Sequence, residues 1–308
     1  MPRIAWILLS AVAALLFVGL AGAAFVIASG SGSEADGSDT TLTLGEPSGR
    51  LQLPLADDDQ AFMLAQHKGR LLIGMAARPG GPVEVAALGG ETPVSSEDLS
   101  FAVDGKPVTA APCGRACSRL DIDAFNGGRR RITVNAPDRF EFVLPKALPV
   151  SESRLFARVQ REMRSLRTHR YTEELTSGAG GGVRSIVEVR APNRLAFRTG
   201  DGFRSIIIGR NRWDFRNGRW ARSAFPGLRV PTYMWDGARN ARLLGSTRYQ
   251  GGLIQILSVY DDQPIPAWFR LVVDQQDRVL DARMIAPSHF MRHQYSDFNG
   301  PIVIRPPT

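Results

Sequence analysis

The sequence predicts a mainly β protein in which one N-terminal transmembrane helix precedes two β-rich domains. Three observations support this prediction. A long uncharged apolar segment begins the chain, short runs of alternating apolar and polar residues fill most of the rest, and 31 Gly and 20 Pro supply the turns that many short strands require. With 44% hydrophobic and 22% charged residues, the 308-residue chain has the composition of a globular rather than a disordered protein.

The N-terminal apolar segment covers residues 4–28, which contain no charged side chain. At about 1.5 Å per residue this segment exceeds the ~30 Å hydrocarbon core of a bilayer, whereas the apolar part of a secretory signal has only about 7–15 residues. Arg3 precedes the segment and Glu34 follows it, so the positive-inside rule keeps the N-terminus in the cytoplasm. We therefore predict a retained signal-anchor over residues 1–29, with a cleaved signal ending near Ala28 as the alternative.

Residues 30–49 begin with the small, polar run Gly-Ser-Gly-Ser-Glu-Ala-Asp-Gly-Ser-Asp, which predicts a flexible linker. The expected location is the bacterial cytoplasmic membrane. The chain would cross it once, with a cytoplasmic N-terminus and with both β-rich domains on the extracytoplasmic side.

The first β-rich domain is predicted over residues 50–147. Its strands are short and separated by turns, and Asp104-Gly105 has the sequence of a tight hairpin turn. Six or seven such strands in about 95 residues favour an antiparallel sandwich of the immunoglobulin type. The clearest strand patterns cover residues 70–75, 83–87, 101–103, 132–134 and 140–144.

The two cysteines of the chain, Cys113 and Cys117, lie in one Pro-Cys-Gly-Arg-Ala-Cys segment. An even pair outside the cytoplasm is usually oxidised, and Gly114 allows the short loop to bend, so we predict a disulfide. The alternative is a pair of thiolates that chelates Cu(I), because sulfur ligands suit a soft metal.

The second domain is predicted over residues 148–308 and begins with an amphipathic helix from Ser151, its N-cap, to about Thr168. The residues after this helix alternate as strands almost to the C-terminus. One long antiparallel sheet with a helix laid over it must curl, which predicts a strongly curved half-barrel around an apolar hollow. The apolar positions of the helix share one face: Leu155, Val159, Met163 and Leu166.

A hairpin at Asn217-Gly218 can be predicted in register, because this dipeptide favours a two-residue primed turn. The register pairs Phe215 with Trp220 and places Trp213 on the same face. These rings are either ordinary core or part of a pocket for an apolar ligand. The candidate residues of a hydrophobic ligand site are Leu155, Val159, Met163, Trp213, Phe215 and Trp220.

The segment His289-Phe290-Met291-Arg292-His293 contains the side chains that copper prefers. On a strand, however, His289 and His293 share a face but stand about 13 Å apart, at ~3.3 Å per residue, so one ion would not bridge them. We therefore expect no metal site, with His289, Met291 and His293 as the residues to check, and no cofactor.

The sequence lacks the motifs of common catalytic sites, including G-x-S-x-G and H-E-x-x-H, so we expect a protein that is not an enzyme. Basic residues are concentrated in the second half, where residues 151–308 hold 25 of the 38 basic but 14 of the 30 acidic residues. Such a surface suits nucleic acid, anionic lipid or an acidic partner, or is simply solvated. No nucleic-acid partner is expected.

Residues 150–308 resemble the lipoprotein-carrier superfamily of LolA-like and LppX-like proteins. The resemblance rests on the first helix, on the strand from Ile207 to Trp213 followed by Gly218-Arg219-Trp220, and on the ending Tyr-Ser-Asp-Phe-Asn-Gly-Pro-Ile-Val-Ile at residues 295–304. In that superfamily a bent antiparallel sheet with helical lids holds lipid or acyl chains. The resemblance implies that Leu155, Val159 and Met163 face the hollow.

The chain also resembles the extracytoplasmic region of some actinobacterial copper-resistance membrane proteins. There a similar His-Phe-Met-x-His-x-Tyr stretch and Pro-Cys-Gly-x-x-Cys loop occur, but attached to several membrane spans instead of one. The first functional hypothesis is an anchored binding protein for a lipid or another hydrophobic small molecule. The alternatives are a copper-handling accessory of the cell envelope and a scaffold for a membrane or envelope protein partner.

Overall fold

The computed structural model describes residues 60–308 except for residues 91, 115, 179–180, 250 and 263–265. The predicted signal-anchor (residues 1–29) and linker (30–49) lie outside this part of the chain. Among the helices that the structure describes, none has the length and apolarity needed to cross a bilayer. Residues Gly49–Thr308 form one compact unit, and the predicted domain boundary between residues 147 and 148 stays a prediction.

Strands dominate the described residues, which contain 21 strands and one α-helix, so the mainly β prediction is confirmed. The strands form three antiparallel sheets, here called sheets I, II and III. Sheets I and II come from the first part of the chain. Sheet I has the order β1-β2-β3-β8-β7, with β4 paired to β3, and sheet II has the order β10-β9-β5-β6. Their strands are β1 Phe62–Lys68, β2 Leu71–Ala77, β3 Val83–Gly89, β4 Thr92–Pro93, β5 Ser100–Val103, β6 Lys106–Val108, β7 Ala111–Gly114, β8 Cys117–Leu120, β9 Arg130–Asn135 and β10 Arg139–Leu144, and a 3-10 helix covers Ser96–Asp98.

One apolar core fills the space between sheets I and II. Ile73, Met75 and Val85 contribute to it from sheet I, and Ile132 and Phe140 from sheet II; all are fully buried. The two sheets therefore form a sandwich, whereas its immunoglobulin-type topology stays a prediction. The disulfide prediction is confirmed, since Cys113 and Cys117 are bonded within the β7–β8 hairpin.

Strand β2 is buried at all seven positions, because both faces of sheet I are covered. Its sequence, Leu-Leu-Ile-Gly-Met-Ala-Ala, has no polar residue, as expected for a strand between two layers. The second apolar core lies on the other face of sheet I, where Met63, Leu72 and Leu88 pack with residues of sheet III. The sheet III residues in this core are Tyr260, Trp268, Ile285 and Phe290.

Sheet III has eleven strands in the order β16-β15-β14-β13-β12-β11-β21-β20-β19-β18-β17. Most of its strands agree with the sequence prediction that the residues after the helix alternate as strands almost to the C-terminus. The strands are β11 Thr168–Thr176, β12 Gly182–Arg190, β13 Arg194–Thr199, β14 Arg204–Ile208, β15 Asn211–Arg216, β16 Arg219–Ala224, β17 Arg239–Tyr249, β18 Gly252–Asp261, β19 Ala267–Val273, β20 Val279–Ala286 and β21 His289–Ser296.

The α-helix, α1, covers Ser153–Ser165 and buries Leu155, Phe156, Val159 and Met163. The predicted face is confirmed, but the predicted N-cap is wrong. Ser151 forms a β-bridge with Arg242 instead, so its backbone is already committed when the helix begins, and Glu152 holds the cap position without a side-chain hydrogen bond. The helix also ends earlier than expected, because Leu166 turns into the extended backbone that leads to β11.

One buried serine connects sheets I and III. The Ser258 hydroxyl donates to the carbonyl oxygen of Met63 at 2.9 Å and accepts the indole N–H of Trp268 at 2.7 Å. We expect Ser258→Ala to leave the Trp268 N–H buried without a partner. The cost would be about 1–3 kcal/mol, which lowers the thermal midpoint by roughly 2–10 °C. The measurement is thermal unfolding of the full-length protein in a mild non-ionic detergent, followed by circular dichroism.

The matched control is Ser246→Ala, which removes the hydroxyl of an exposed serine on β17. This change should stay within about 0.5 kcal/mol of the unchanged protein. Equal midpoints for the two variants would contradict a stabilising connection through Ser258.

Candidate functional site

The face of sheet III that carries α1 is called the inner face, and the opposite face, which packs on sheet I, the outer face. Side chains alternate between the two faces along each strand. On β11 and β21 the inward residues form cross-strand pairs, Tyr171 with Tyr295 and Glu173 with His293. Together with residues before β17 they form the inner cluster: His169, Tyr171, Glu173, Tyr233, Trp235, His293 and Tyr295.

A buried hydrogen-bond network connects the polar members of the inner cluster. His293 Nε2 lies 2.8 Å from Glu173 Oε2, and its Nδ1 lies 3.0 Å from the Tyr295 hydroxyl. Ser185 donates to the other carboxylate oxygen of Glu173 at 3.1 Å. This arrangement satisfies both imidazole nitrogens if Nε2 carries the proton, since Tyr295 then donates to Nδ1. Burial raises the pKa of Tyr295 well above its usual value, so its phenol remains a donor.

His169 belongs to the inner cluster, and one of its ring nitrogens has no hydrogen-bond partner among the described residues. It is 1% exposed, and its Nδ1 has no hydrogen bond within the part of the chain that the structure describes. The rings of Tyr171, Tyr233 and Tyr295 surround it at centroid distances of 5.7–6.1 Å. Burial, followed by the charge of His293, lowers the pKa of His169 to about 4. The imidazole is therefore neutral at physiological pH.

Tyr233 and Trp235 supply an aromatic wall that the sequence analysis did not identify. Their rings stack at 5.0 Å, and Trp235 meets Tyr295 edge-on at 5.7 Å. The Tyr233 hydroxyl donates to the carbonyl oxygen of Met163 in α1 at 2.8 Å. The indole Nε1 of Trp235 is buried without a hydrogen bond to any described residue. The one available signal was the run Tyr-Met-Trp in a segment without strand alternation.

Helix α1 is fixed to the sheet at its rim by polar contacts. Arg158 binds Asp277 at 2.8 Å, Arg164 binds Asp236 at 2.9 Å, and Gln160 donates to the carbonyl oxygen of Asp236 at 3.0 Å. Both arginine side chains remain about half exposed. The apolar residues of the helix lie beneath these contacts, against the inner face.

The predicted ligand residues fall into two groups. Leu155, Val159 and Met163 are buried on the inner face, as expected. The predicted register of the Asn217-Gly218 hairpin is also confirmed, with Phe215 paired to Trp220 at a ring distance of 5.2 Å. The hairpin rings are only partly buried, because β16 is an edge strand.

The pairing register shows that these two groups lie on opposite faces of sheet III. A row of paired inward residues runs from β11 to β15 and ends at Asp214. Trp213 and Phe215 flank Asp214 in the sequence, so they point to the outer face, and Trp220 joins them as the partner of Phe215. The row consists of Tyr171, Val187, Phe197, Ser205 and Asp214. The helix residues and the hairpin rings therefore do not share one pocket.

The copper candidates lie on two separate elements. Cys113 and Cys117 are bonded to each other in the β7–β8 hairpin, while His289, Met291 and His293 lie on β21. His293 contacts Glu173 and Tyr295, and His289 lies near the carbonyl oxygen of Pro287 at 3.1 Å. Among the described residues, no three His, Cys, Asp or Glu side chains are grouped to hold a metal ion.

Comparison with known proteins gives matches among solved structures. No protein-family model matches the sequence, and no curated protein matches it. The lipoprotein LppX of Mycobacterium tuberculosis is 13% identical, with 49% of this chain and 97% of LppX covered and a TM-score of 0.39. LprF of Mycobacterium bovis is 9% identical, with 51% and 99% covered and a TM-score of 0.39.

A LolA superfamily protein of Nitrosomonas europaea is 11% identical, with 50% of this chain and 95% of that chain covered and a TM-score of 0.25. These matches agree with the LolA-like and LppX-like resemblance that the sequence predicts. At these identities and TM-scores the matches carry no argument about the ligand or the function of this chain. The similarity to copper-resistance proteins stays a prediction.

The lowered pKa of His169 predicts a specific pH dependence of stability. In the unfolded chain this imidazole titrates near pH 6.5, whereas in the folded protein its pKa is about 4. The unfolded state therefore binds more protons between these values, and stability falls as the pH drops from 6.5 towards 4. The contribution to the free energy of unfolding is at most roughly 3–4 kcal/mol.

We expect His169→Phe to reduce this loss, because phenylalanine keeps a ring among the three tyrosines and does not titrate. The measurement is the thermal midpoint of the full-length protein and the variant at several pH values from 7 to 4.5. His67, whose pKa is also lowered by burial, is present in both proteins and contributes equally. Parallel pH curves for the two proteins would contradict the interpretation.

Proposed function

We propose that this chain is a membrane-anchored, extracytoplasmic protein that binds a lipid or another hydrophobic ligand between α1 and the inner face of sheet III. The observation that carries the proposal is the construction of this layer. An amphipathic helix covers the apolar side of a sheet that has two free edge strands, β16 and β17, among the described residues, and it is held there by polar contacts at its rim.

Apolar contacts hold α1 on the sheet more strongly than the ion pairs at the ends of its exposed face do. Arg158–Asp277 and Arg164–Asp236 have arginine side chains that are 49% and 51% exposed, and exposed ion pairs contribute only about 0–1 kcal/mol each. The apolar contacts of Leu155, Phe156, Val159 and Met163 contribute more, at about 1.5–3 kcal/mol for each buried side chain. An acyl chain can replace these apolar contacts at about 0.8 kcal/mol per CH₂, so exchange of helix for ligand is energetically balanced.

Two buried groups on the inner face suit the polar end of such a ligand. The indole Nε1 of Trp235 is a donor, and the neutral imidazole of His169 can donate or accept at Nδ1. Neither atom has a partner among the described residues. A buried polar atom without a partner costs about 1–3 kcal/mol, which a ligand carbonyl or carboxyl group would recover. A ligand with one such group and an apolar chain therefore fits best.

The proposed location and chemistry follow from the same features. Residues 4–28 have the length and composition of a membrane anchor, and the Cys113–Cys117 disulfide suits an oxidising compartment. Burial of an apolar chain requires no covalent step, so we propose a binding protein rather than an enzyme, without a cofactor and without a nucleic-acid partner. A copper-handling role stays a prediction.

The second candidate function is a scaffold for a membrane or envelope protein partner. One observation favours it: the described inner face is occupied by the chain's own side chains, with Met163, Trp235 and Val159 fully buried beneath or beside α1. In that case the helix would stay on the sheet, and no hydrophobic ligand would enter.

A photoactivatable palmitate analogue distinguishes these candidates. The full-length protein in a mild non-ionic detergent is incubated with the analogue, irradiated, digested and analysed by mass spectrometry. The lipid-binding proposal expects labelled peptides from Ser153–Ser165 and from residues 231–238. Labelling confined to residues 1–29, or to the hairpin of β15 and β16, would contradict a site beneath α1 and favour the scaffold.

We further expect Val159→Trp to reduce the labelling of these peptides at least severalfold, because the added ring fills the space beneath the helix. Val159 is fully buried on the inner face. The matched control is Arg161→Trp, which adds a tryptophan to the exposed face of the same helix and should leave labelling unchanged. Equal labelling of both variants would show that the analogue binds elsewhere.

A further inference from the structure

A second candidate site lies on the outer face of sheet III, in a groove between this sheet and the sandwich. The groove has a volume of about 1040 Å³. Its walls come from the end of β1, from β10, and from strands β11, β12 and β19–β21 of sheet III. It is separate from the proposed lipid site, because the sheet itself lies between the two. We call it the outer groove.

Three arginines form a row across neighbouring strands in the outer groove. Arg270 on β19 pairs with Arg283 on β20, and Arg283 pairs with Arg292 on β21. Their side chains therefore point to the same face from adjacent strands, which lie about 4.8 Å apart. Directly opposed like charges destabilise a sheet unless something neutralises them. We call these three residues the arginine row.

The carboxylates around the arginine row leave one arginine without a direct ion pair among the described residues. Asp281 binds Arg292 at 2.7 Å and lies 3.7 Å from Arg283. At the ends of the groove, Glu174 already binds Arg184, and Glu141 already binds Arg139. The guanidinium group of Arg270 has no ion pair with any described residue.

Arg270 places a positive charge in the groove that a bound anion would stabilise. It is half buried, and burial, followed by the charge of Arg283, lowers its pKa, while the charge of Asp281 opposes this shift. A guanidinium group stays protonated even so, which makes an unneutralised charge in a groove unfavourable. His67 also lines the groove, and burial lowers its pKa, so it adds no positive charge at neutral pH.

Apolar side chains also line the outer groove. Leu64 and Val143 come from the sandwich, and Ile285 lies beside the arginine row on the same face of sheet III. Val143 is 53% exposed, which is high for a valine beside a cavity. The groove thus combines a cationic row with several apolar side chains, and its volume suits a small molecule or one end of a lipid.

We propose that the outer groove binds a phosphate-bearing ligand, with the phosphate held by Arg270, Arg283 and Arg292. A phosphate group offers three oxygens and up to two negative charges, so several arginines can converge on it, each with a pair of parallel N–H donors. A carboxylate has two oxygens and one charge, which matches three arginines less well. The phosphate belongs either to a lipid headgroup, whose chain would lie along Leu64, Val143 and Ile285, or to a soluble phosphate.

Three probes test this proposal with the full-length protein in a non-ionic detergent. Octyl phosphate carries both parts of the ligand, inorganic phosphate carries the anion alone, and octanol carries the chain alone. Binding is measured by titration calorimetry. Octyl phosphate binding at least about tenfold more tightly than inorganic phosphate would identify a lipid-like source, and equal affinities would identify a soluble one. Octanol binding as tightly as octyl phosphate would overturn the proposal, because the arginines would then not matter.

The first variant is Arg270→Gln, which removes the unpaired charge and keeps much of the side-chain length. A charge-assisted hydrogen bond contributes about 1.5–3 kcal/mol, so affinity for octyl phosphate should fall at least about tenfold. The matched control is Arg248→Gln, an exposed arginine on β17 that does not line the groove. It should change the affinity less than about twofold. Equal affinities of the two variants would overturn the proposal.

Asp281→Asn tests the site in the opposite direction, since it removes the carboxylate that competes for Arg292 and Arg283. Affinity for octyl phosphate should rise about threefold or more. A decrease would contradict the proposed role of the arginine row. The unfolding midpoint of Arg270→Gln without ligand should equal or exceed that of the unchanged protein, because repulsion within the row is relieved; a large decrease would overturn the view that Arg270 lacks a partner.

The outer groove can be tested independently of the proposed lipid site. Val159→Trp acts on the inner face and should leave octyl phosphate affinity unchanged, while Arg270→Gln should leave palmitate labelling beneath α1 unchanged. If palmitate labelling beneath α1 fails, the proposed lipid site is contradicted and the outer groove is not. If octyl phosphate binding fails, only the outer groove is contradicted.

Discussion

The burial of sheet I on both faces is the constraint on which the rest of the described structure depends. Its one face packs on sheet II and its other face on sheet III, so the apolar strand β2 is the centre of two cores. Polar groups in this position must be paired within the protein, and Ser258 does this for Met63 and Trp268. Because sheet I covers only part of the outer face, a groove remains where the two sheets separate, and its walls are fixed by the packing beside it.

The two faces of sheet III differ in chemistry because the side chains alternate along each strand. On β20 and β21, Met284 and Met291 point inward while Arg283 and Arg292 point outward. By the same alternation, Leu271 on β19 points inward and Arg270 points outward. One sheet therefore has apolar and aromatic side chains beneath α1 on its inner face and the arginine row on its outer face. Neither surface requires an insertion or an additional element, because a period of two residues is sufficient.

Local sequence signals predicted the parts of this structure that local physics controls. The spacing of Leu155, Val159 and Met163 gave the buried face of α1, and Asn217-Gly218 gave the register of its hairpin. The face on which the hairpin rings lie was not predictable in the same way, since it depends on the pairing of every strand from β11 to β15. A one-residue shift in any of these pairs moves the rings to the other face. The place of Tyr233 and Trp235 in the inner cluster was also not predictable, because their segment forms no helix or strand with a periodic pattern.

The positive charge of the second half of the chain can be interpreted only when the ion pairs and the strand pairing are known. Many of its arginines bind a nearby carboxylate, as Arg170 binds Glu188 on the neighbouring strand and Arg278 binds Asp274 within the turn between β19 and β20. Such residues form a solvated surface, which was one interpretation of the sequence. Arg270, Arg283 and Arg292 are isolated from one another along the chain, so no sequence window shows them as a cluster. Antiparallel pairing brings them into one row beside a single carboxylate, Asp281. The local concentration of positive charge therefore arises only when the sheet forms.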